Sequence, residues 1–290
     1  MRIRVVSWNV DSRPAGLLDA KVELLRRIRP DLALLQELSR SVYRALLPPP
    51  LAHERMHQQS RLFAWGALST DLCRPRGDEH RLGCAVLGAP GTVVLGSQVL
   101  DRAPFGVSEP VRAGFLWRTV AARVALSDGA QLTVGSFQTR RASTVASDLQ
   151  RAFHAGITGW ASGVSGPLVV GLDAGAPAVD HPDARQVRPW LSASSAGPGG
   201  DDPLLGPHGG HRLYDVLRGY LDRRPEELAR IRAERPAGPL AVSRRVAGQP
   251  VRYDHLFASP ELEVVDVQYR YDDAAAAGSD HALIIAELET

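Results

Sequence analysis

Two apolar runs of strand length, separated by one stretch of helical period, constrain this chain more than any other feature. The first is Ile3-Arg4-Val5-Val6-Ser7-Trp8 and the second is Leu32-Ala33-Leu34-Leu35. Between them Leu17, Leu18, Val22, Leu24, Leu25 and Ile28 recur at helical spacing with charged residues interposed, which predicts a helix linking the two strands as a βαβ unit. Each strand ends on polar residues suited to one shared site: Asn9 directly after Trp8, and Gln36-Glu37 directly after Leu35. Asn9 is the only asparagine in 290 residues. Lysine is almost as scarce, with Lys21 alone, a bias that a GC-rich coding sequence produces, so position carries more weight than rarity.

With 44% hydrophobic residues the chain can bury a large core, and its length fits one α/β domain over 1–290 better than two small ones. A net charge of +2 leaves the partner open, although heavy arginine use permits a phosphate-rich ligand. No stretch has signal-peptide order and no apolar run is long enough to span a bilayer, so the reading is a soluble, cytoplasmic protein. Cys73 and Cys84 lack a nearby Cys/His cluster and read as free thiols.

Residues 48–82 open on Pro48-Pro49-Pro50 and show little periodicity, predicting a surface loop with short helical pieces. Cys84-Ala85-Val86-Leu87, Val93-Val94-Leu95, Leu116 to Leu126 and Leu132 to Phe137 read as an antiparallel meander, with Asp128-Gly129 as the last hairpin turn. A helix over about 143–160 leads into Leu168-Val169-Val170, which ends on Gly171-Leu172-Asp173. Residues 174–212, rich in Gly, Pro, Ala and Ser, form a second long loop. Helical signals follow at 213–221 and 225–234, then strand signals at 251–257, 263–271 and 281–288.

Five polar signals therefore sit at strand ends or starts: Asn9, Gln36-Glu37, Asp173, Asp254-His255 and Asp280-His281. Singly, each is also ordinary turn or cap chemistry; their order and position favour a shared site. Asp11, in Asp11-Ser12-Arg13-Pro14, fits a turn equally well and is an accessory candidate. His208, His211 and His255 have contexts that assign them no role. The arginines from Arg223 to Arg252 interleave with Glu226, Glu227 and Glu234, which favours a solvated helix over a phosphate-tracking face. The scattered Trp65, Trp117, Trp160 and Trp190 make no stacking platform.

Taken together, Trp8-Asn9, Gln36-Glu37, Gly171-Leu172-Asp173, Arg252-Tyr253-Asp254-His255 and Ser279-Asp280-His281 resemble the endonuclease/exonuclease/phosphatase superfamily, with its deoxyribonuclease I-like fold. The resemblance spans nearly the whole chain. It implies a four-layer α/β sandwich, two packed mixed sheets flanked by helices, whose active site gathers residues from strand ends at one edge. It also implies cleavage of a phosphate ester with Mg2+ or Mn2+, nucleic acid being the first substrate class. A phosphodiester is anionic, so a hard cation held by carboxylates must neutralise the phosphoryl oxygens and leaving group. By resemblance Glu37 is the leading metal ligand, with Asp280 and Asn9 completing or orienting the site. Asp173 would orient and deprotonate the attacking water, His281 would stabilise the transition state, and Asp254 would fix the His281 tautomer.

The resemblance departs at two positions. Where the family has Gly-Asp-x-Asn, this chain reads Gly171-Leu172-Asp173-Ala174-Gly175, so Gly175 replaces an amide. Gln138 stands where the family places histidine or tyrosine, and it can donate a hydrogen bond but carry no catalytic proton. Both imply reduced or altered activity unless a residue such as Arg140 or Arg141 compensates. The alternatives are a binding or scaffold protein on a degraded site, or an enzyme acting on a lipid headgroup, inositol phosphate or small nucleotide.

Overall fold

The computed structural model describes residues 2–12, 17–47, 62–72, 82–100, 117–139, 147–188, 202–206 and 211–289. Cys73, Arg140, Arg141, Trp190 and His208, with most of the first long loop and part of the second, lie outside them.

The strands in chain order are β1 (Arg2–Asn9), β2 (Leu32–Leu38), β3 (Trp65–Leu68), β4 (Gly83–Gly88), β5 (Val93–Gln98), β6 (Thr119–Ala125), β7 (Gln131–Gln138), β8 (Leu168–Asp173), β9 (Tyr214–Asp215), β10 (Arg244–Val246), β11 (Gln249–Val251), β12 (Asp254–Ala258), β13 (Glu263–Arg270) and β14 (Leu283–Glu289). They form two six-stranded sheets, ordered β13-β14-β1-β2-β4-β3 and β5-β6-β7-β8-β12-β9, plus the hairpin β10-β11. Both sheets are mixed: β1 runs parallel to β2 and β7 parallel to β8, while the other named pairs are antiparallel.

Period-2 alternation decides which face each strand buries. Ile3 and Val5 of β1, Leu32 and Leu34 of β2, Leu132 and Val134 of β7, Val169 of β8, Leu256 of β12 and Ile284 of β14 fill one apolar cluster between the sheets. The alternate residues Val6, Trp8, Ala33 and Leu35 face a second cluster shared with the helix Leu18–Ile28. Phe137, Leu168, Val170, Leu172 and Phe257 face a third, shared with the helix Ser147–Gly163. The layering is therefore helix, sheet, sheet, helix, as the resemblance implies. Across the open side, Val216, Leu217, Tyr220 and Leu221 of the helix Val216–Asp222 join the inter-sheet core.

Toward one edge the inward-facing rows turn from apolar to polar: Ile3-Val5 continues as Ser7-Asn9, Leu132-Val134 as Ser136-Gln138, and Val169 as Gly171-Asp173. The two sheets approach closely at Gly171, where a Cβ would lie 2.5 Å from Ser7 Oγ and 2.9 Å from Leu34 Cβ. Gly171→Ala should accordingly destabilise the fold by about 1–3 kcal/mol through overpacking. Urea denaturation checks it, and an unchanged midpoint would mean the sheets separate freely at this point.

The structure corrects the chain-order reading in three places. β4 is not part of the meander; it pairs with β2 and β3 in the other sheet, and only β5-β6-β7 is a continuous meander. Within 48–82 the short helix Ser69–Leu72 is a helical piece of the expected kind, but Trp65–Leu68 forms the edge strand β3 instead of loop. Of the Arg223–Arg252 segment, only Pro225–Glu234 is a solvated helix of the expected kind. Arg244 and Arg245 lie in β10, and Arg252 is fully buried. No described helix is long and apolar enough to cross a membrane. Cys84 is a buried free thiol whose titration burial pushes far up.

Candidate active site

The polar ends of these rows converge on one edge. Register places Asn9 opposite Gln36 across β1 and β2, Gln138 opposite Asp173 across β7 and β8, and Asp254 opposite Asp173 across β12 and β8. His281 comes from the other sheet, just before β14. Ser279 Oγ donates to Asn9 O (2.7 Å) and accepts from His281 N (3.1 Å), locking the His281 segment to the end of β1.

Asp173 is the centre of the polar contacts. Its Oδ2 accepts from Asn9 Nδ2 at 2.8 Å and from Gln138 Nε2 at 3.3 Å, and its Oδ1 accepts from the Gly175 N–H at 3.1 Å. Burial pushes its carboxyl up; His281 and Asn9 oppose this, and the result is about 6. Asp254 contacts His281 Nδ1 through both oxygens, at 2.9 and 3.0 Å. Burial lowers the His281 imidazole, but the negative charges of Asp254 and Asp173 more than offset it and lift His281 to about 9. Two groups displaced in this way and held in one place mark a candidate functional site.

Glu37 reaches the same cleft through a backbone irregularity. The β2–β4 register shifts between Leu35 and Leu38, and Glu37 adopts φ 52°. A bulge of this kind re-aims a side chain near a strand end at a modest conformational cost. Its Oε1 accepts from Gln138 Nε2 at 2.6 Å. Gln36 keeps the strand alternation and points between the sheets, where Nε2 donates to Ser136 Oγ at 3.0 Å and to Leu34 O at 3.1 Å. It braces the sheets and does not line the cleft. Asp11 runs beside Glu37, since Ser12 N donates to Glu37 O at 3.2 Å. The chain's only lysine holds this turn, with Lys21 Nζ donating to Asp11 O at 2.7 Å.

Asp11, Glu37, Gln138, Asp173, Gly175, Asp280 and His281 line one cleft of about 270 Å³. Asn9 sits beneath it, reaching it through Asp173. Asp280 is half exposed and paired with Arg244. Gln138 bridges the two carboxylates of Glu37 and Asp173, and Arg118 Nη1 donates to Gln138 Oε1 at 3.0 Å, fixing which end of the amide faces the acids. Gly175 takes the left-handed φ of 56°, and a Cβ there would sit 3.4 Å from both Gln150 Nε2 and Thr139 Oγ1. Arg140 lies outside the described residues.

Two residues of this edge, Arg118 and Ser243, escape the sequence reading, and a third, Arg244, reads there as part of a solvated helix. Arg118 precedes β6, and Arg244 opens the hairpin β10-β11, whose short strands carry no periodic signal. Ser243, fully buried, accepts at Oγ from Tyr253 N (2.8 Å) and Asp254 N (3.0 Å), while its carbonyl accepts from Ala282 N at 2.6 Å. It thereby ties Asp254 in one sheet to His281 at the margin of the other. His255 faces away from the cleft, between Asp215 Oδ2 (3.3 Å) and Ala176 O (3.0 Å).

The sequence matches no protein-family profile and no curated protein. Solved structures match over essentially the full length. An endonuclease/exonuclease/phosphatase from Bacteroides vulgatus aligns with TM-score 0.63 at 14% identity, over 100% of this chain and 99% of its own. D. rerio TDP2 complexed with single strand DNA product aligns with TM-score 0.62 at 14% identity, over 100% and 99%. The human Nocturnin catalytic domain with bound sulfate anion gives 0.59 at 15%, over 99% and 93%. Two mixed six-stranded sheets packed face to face, helices outside them, and full-length superposition on these proteins together mean that the chain has the deoxyribonuclease I-like fold of the endonuclease/exonuclease/phosphatase superfamily.

Proposed function

We propose that the chain is a metal-dependent phosphoesterase that hydrolyses a phosphodiester by in-line attack of water, with nucleic acid as the first substrate class. The observation that carries this reading is the meeting of Asp173 with the buried Asp254–His281 pair at the mouth of a cleft that also holds Glu37. Asp173, kept in place by Asn9 and the Gly175 N–H, is the base that orients and deprotonates water. His281, with Nδ1 occupied by Asp254, presents Nε2 to the phosphoryl group as a cation and stabilises the charge that develops there. Gln138 acts as a donor between the two acids, a role that needs no titratable proton.

The donors present fit a hard divalent ion. Glu37 and Asp11 both line the open cleft and carry carboxylates, the oxygen donors that Mg2+ or Mn2+ takes. Asp173, Asp254 and His281 also bring ligand atoms within 4.8 Å of one another. In that trio His281 is spent on Asp254, and a protonated imidazole has no lone pair for a metal, so Glu37 is the better holder, with Asp280 and Asn9 in supporting positions. A bound divalent ion would supply positive charge to the phosphoryl oxygens and the leaving group. Nucleic acid is favoured by the likeness to D. rerio TDP2, solved with a single strand DNA product, and by the cleft arginines Arg118 and Arg244.

The test is hydrolysis of plasmid, abasic duplex, single strand and bis-p-nitrophenyl phosphate with Mn2+ or Mg2+, beside a chelator and Glu37→Gln. Turnover lost in both controls supports the reading; turnover indifferent to both sinks it. The pH profile follows from the site. Asp173 works ionised, so the rate should rise as pH passes about 6; His281 works protonated, so the rate should fall as pH passes about 9. A bell between these limits is the expected kcat/KM profile, and a rate still climbing above pH 10 would remove His281 as the cation.

A further inference from the structure

Arg244 occupies a position that neither helix charge patterning nor hairpin stability explains. Its Nη1 lies 2.7 Å from His281 Nε2, and its Nη2 pairs with Asp280 Oδ2. The side chain is 13% exposed, although the next residue, Arg245, is open to solvent. The backbone holds it there: Arg244 and His281 form an isolated antiparallel bridge, and the adjacent Ser243 binds Tyr253, Asp254 and Ala282. The β10-β11 hairpin is thus rooted on both members of the Asp254–His281 pair and delivers one guanidinium to the face of the imidazole that looks into the cleft.

We infer that Arg244 is a substrate-binding residue that grips a phosphate oxygen together with His281, exchanging its contact with His281 Nε2 for the bound phosphate. The inference rests on the phosphoesterase reading and names a further contact of the same site. Arg244 Nη1 donates and never accepts, so a protonated Nε2–H cannot share this contact; a phosphoryl group that meets the His281 cation must take the space Arg244 Nη1 now fills. With Nη2 held on Asp280 Oδ2, Nη1 is free to turn from Nε2 to the phosphate, and the planar fork of arginine directs that donor where a lysine offers a point charge. Arg118 also lines the cleft but donates to Gln138 Oε1, so Arg244, beside His281, is the arginine placed to meet the phosphate.

The experiment titrates inorganic phosphate into metal-free protein by calorimetry, for the wild type, Arg244→Ala, Arg244→Gln and the neighbouring Arg245→Ala, with thermal melts to establish folding. The expected result is a Kd raised about 10- to 100-fold in both Arg244 variants, as for loss of a charge-assisted hydrogen bond, and unchanged in Arg245→Ala. With bis-p-nitrophenyl phosphate and Mn2+, the same variants should raise KM by a similar factor. Arg244→Gln separates charge from packing, because it fills much of the same space. Phosphate binding equal in wild type and both Arg244 variants, or absent from the wild type, overturns the inference. Arg244-dependent binding without turnover of any diester keeps the anion site and overturns the hydrolase reading instead; turnover with Arg244-independent binding overturns the inference alone.

Discussion

Replacing His281 by asparagine should lower kcat/KM for a phosphodiester at pH 7 by about 10³-fold, with little loss of folding. Asparagine places an amide nitrogen near the position of Nδ1, so Asp254, buried at 2% exposure, keeps a donor and is not left as an unpaired buried carboxylate. What disappears is Nε2 and its positive charge, the only parts of the side chain that face the phosphate. Removing one preorganised donor to developing charge costs about 10²–10³-fold, and loss of the cation adds to it. Asp254→Asn should act through the same unit, so the double variant should be no slower than about the worse single one. Steady-state kinetics with Mn2+ and bis-p-nitrophenyl phosphate checks both. A His281→Asn rate within about tenfold of wild type would place the transition-state cation elsewhere.

The largest stability effect is expected at Arg252, which lies behind the site and touches no part of the cleft. Its guanidinium is fully buried, with Nη2 donating to Asp215 Oδ1 at 2.6 Å, Nη1 to Asp180 Oδ2 at 3.3 Å, and Nε to Tyr269 Oη at 3.0 Å. Asp215 meanwhile caps the helix Val216–Asp222, and Tyr269 Oη donates to Asp254 O at 3.0 Å. Arg252→Met keeps the apolar stem but takes from the largely buried Asp215 its arginine and from Asp180 one of two, Arg218 remaining, which should cost about 3–5 kcal/mol. Adding Asp215→Asn should recover part of it. Burial pushes the Asp215 carboxyl up, but Arg252 outweighs this and holds it well below the usual range. A depressed carboxylate contributes stability above its unfolded value near 3.8 that is lost as pH falls further. Wild type should therefore lose this contribution in acid below about pH 4, and the gap to Arg252→Met should narrow there. Chemical denaturation at pH 7 and pH 3 measures both, and equal midpoints for the two proteins at pH 7 would mean that the cluster stabilises nothing.

Much of this architecture was legible in the chain because it rests on local periodicity. Helix Leu18–Ile28 and strands β1, β7, β8, β12 and β14 announce themselves by apolar spacing; Asn9, Glu37 and Asp173 stand where such a run stops, and Asp254 and His281 where one starts. β3 was not legible, because Trp65-Gly66-Ala67-Leu68 is too short to show a period and is stabilised by pairing with β4. The placement of β4 itself was misread for a related reason: closeness in sequence to β5 suggested pairing, but hydrogen bonding to β2 is what makes it a strand of the first sheet. Gln36 and Glu37 looked equivalent, and only the bulge between Leu35 and Leu38 sends one between the sheets and the other into the cleft.

The sequence by itself determined the strand ends, their order and the carboxylates and imidazole they carry, because hydrophobic alternation and chain order are properties of neighbours along the chain. Only the tertiary structure decided that Asp254 from one sheet meets His281 from the margin of the other, that Gln138 joins Glu37 to Asp173, and that Ser243 and Arg244 belong to the site at all. Those contacts join residues 10 to 101 positions apart, and nothing in the local pattern of either partner encodes the packing angle and register that bring them within hydrogen-bond distance.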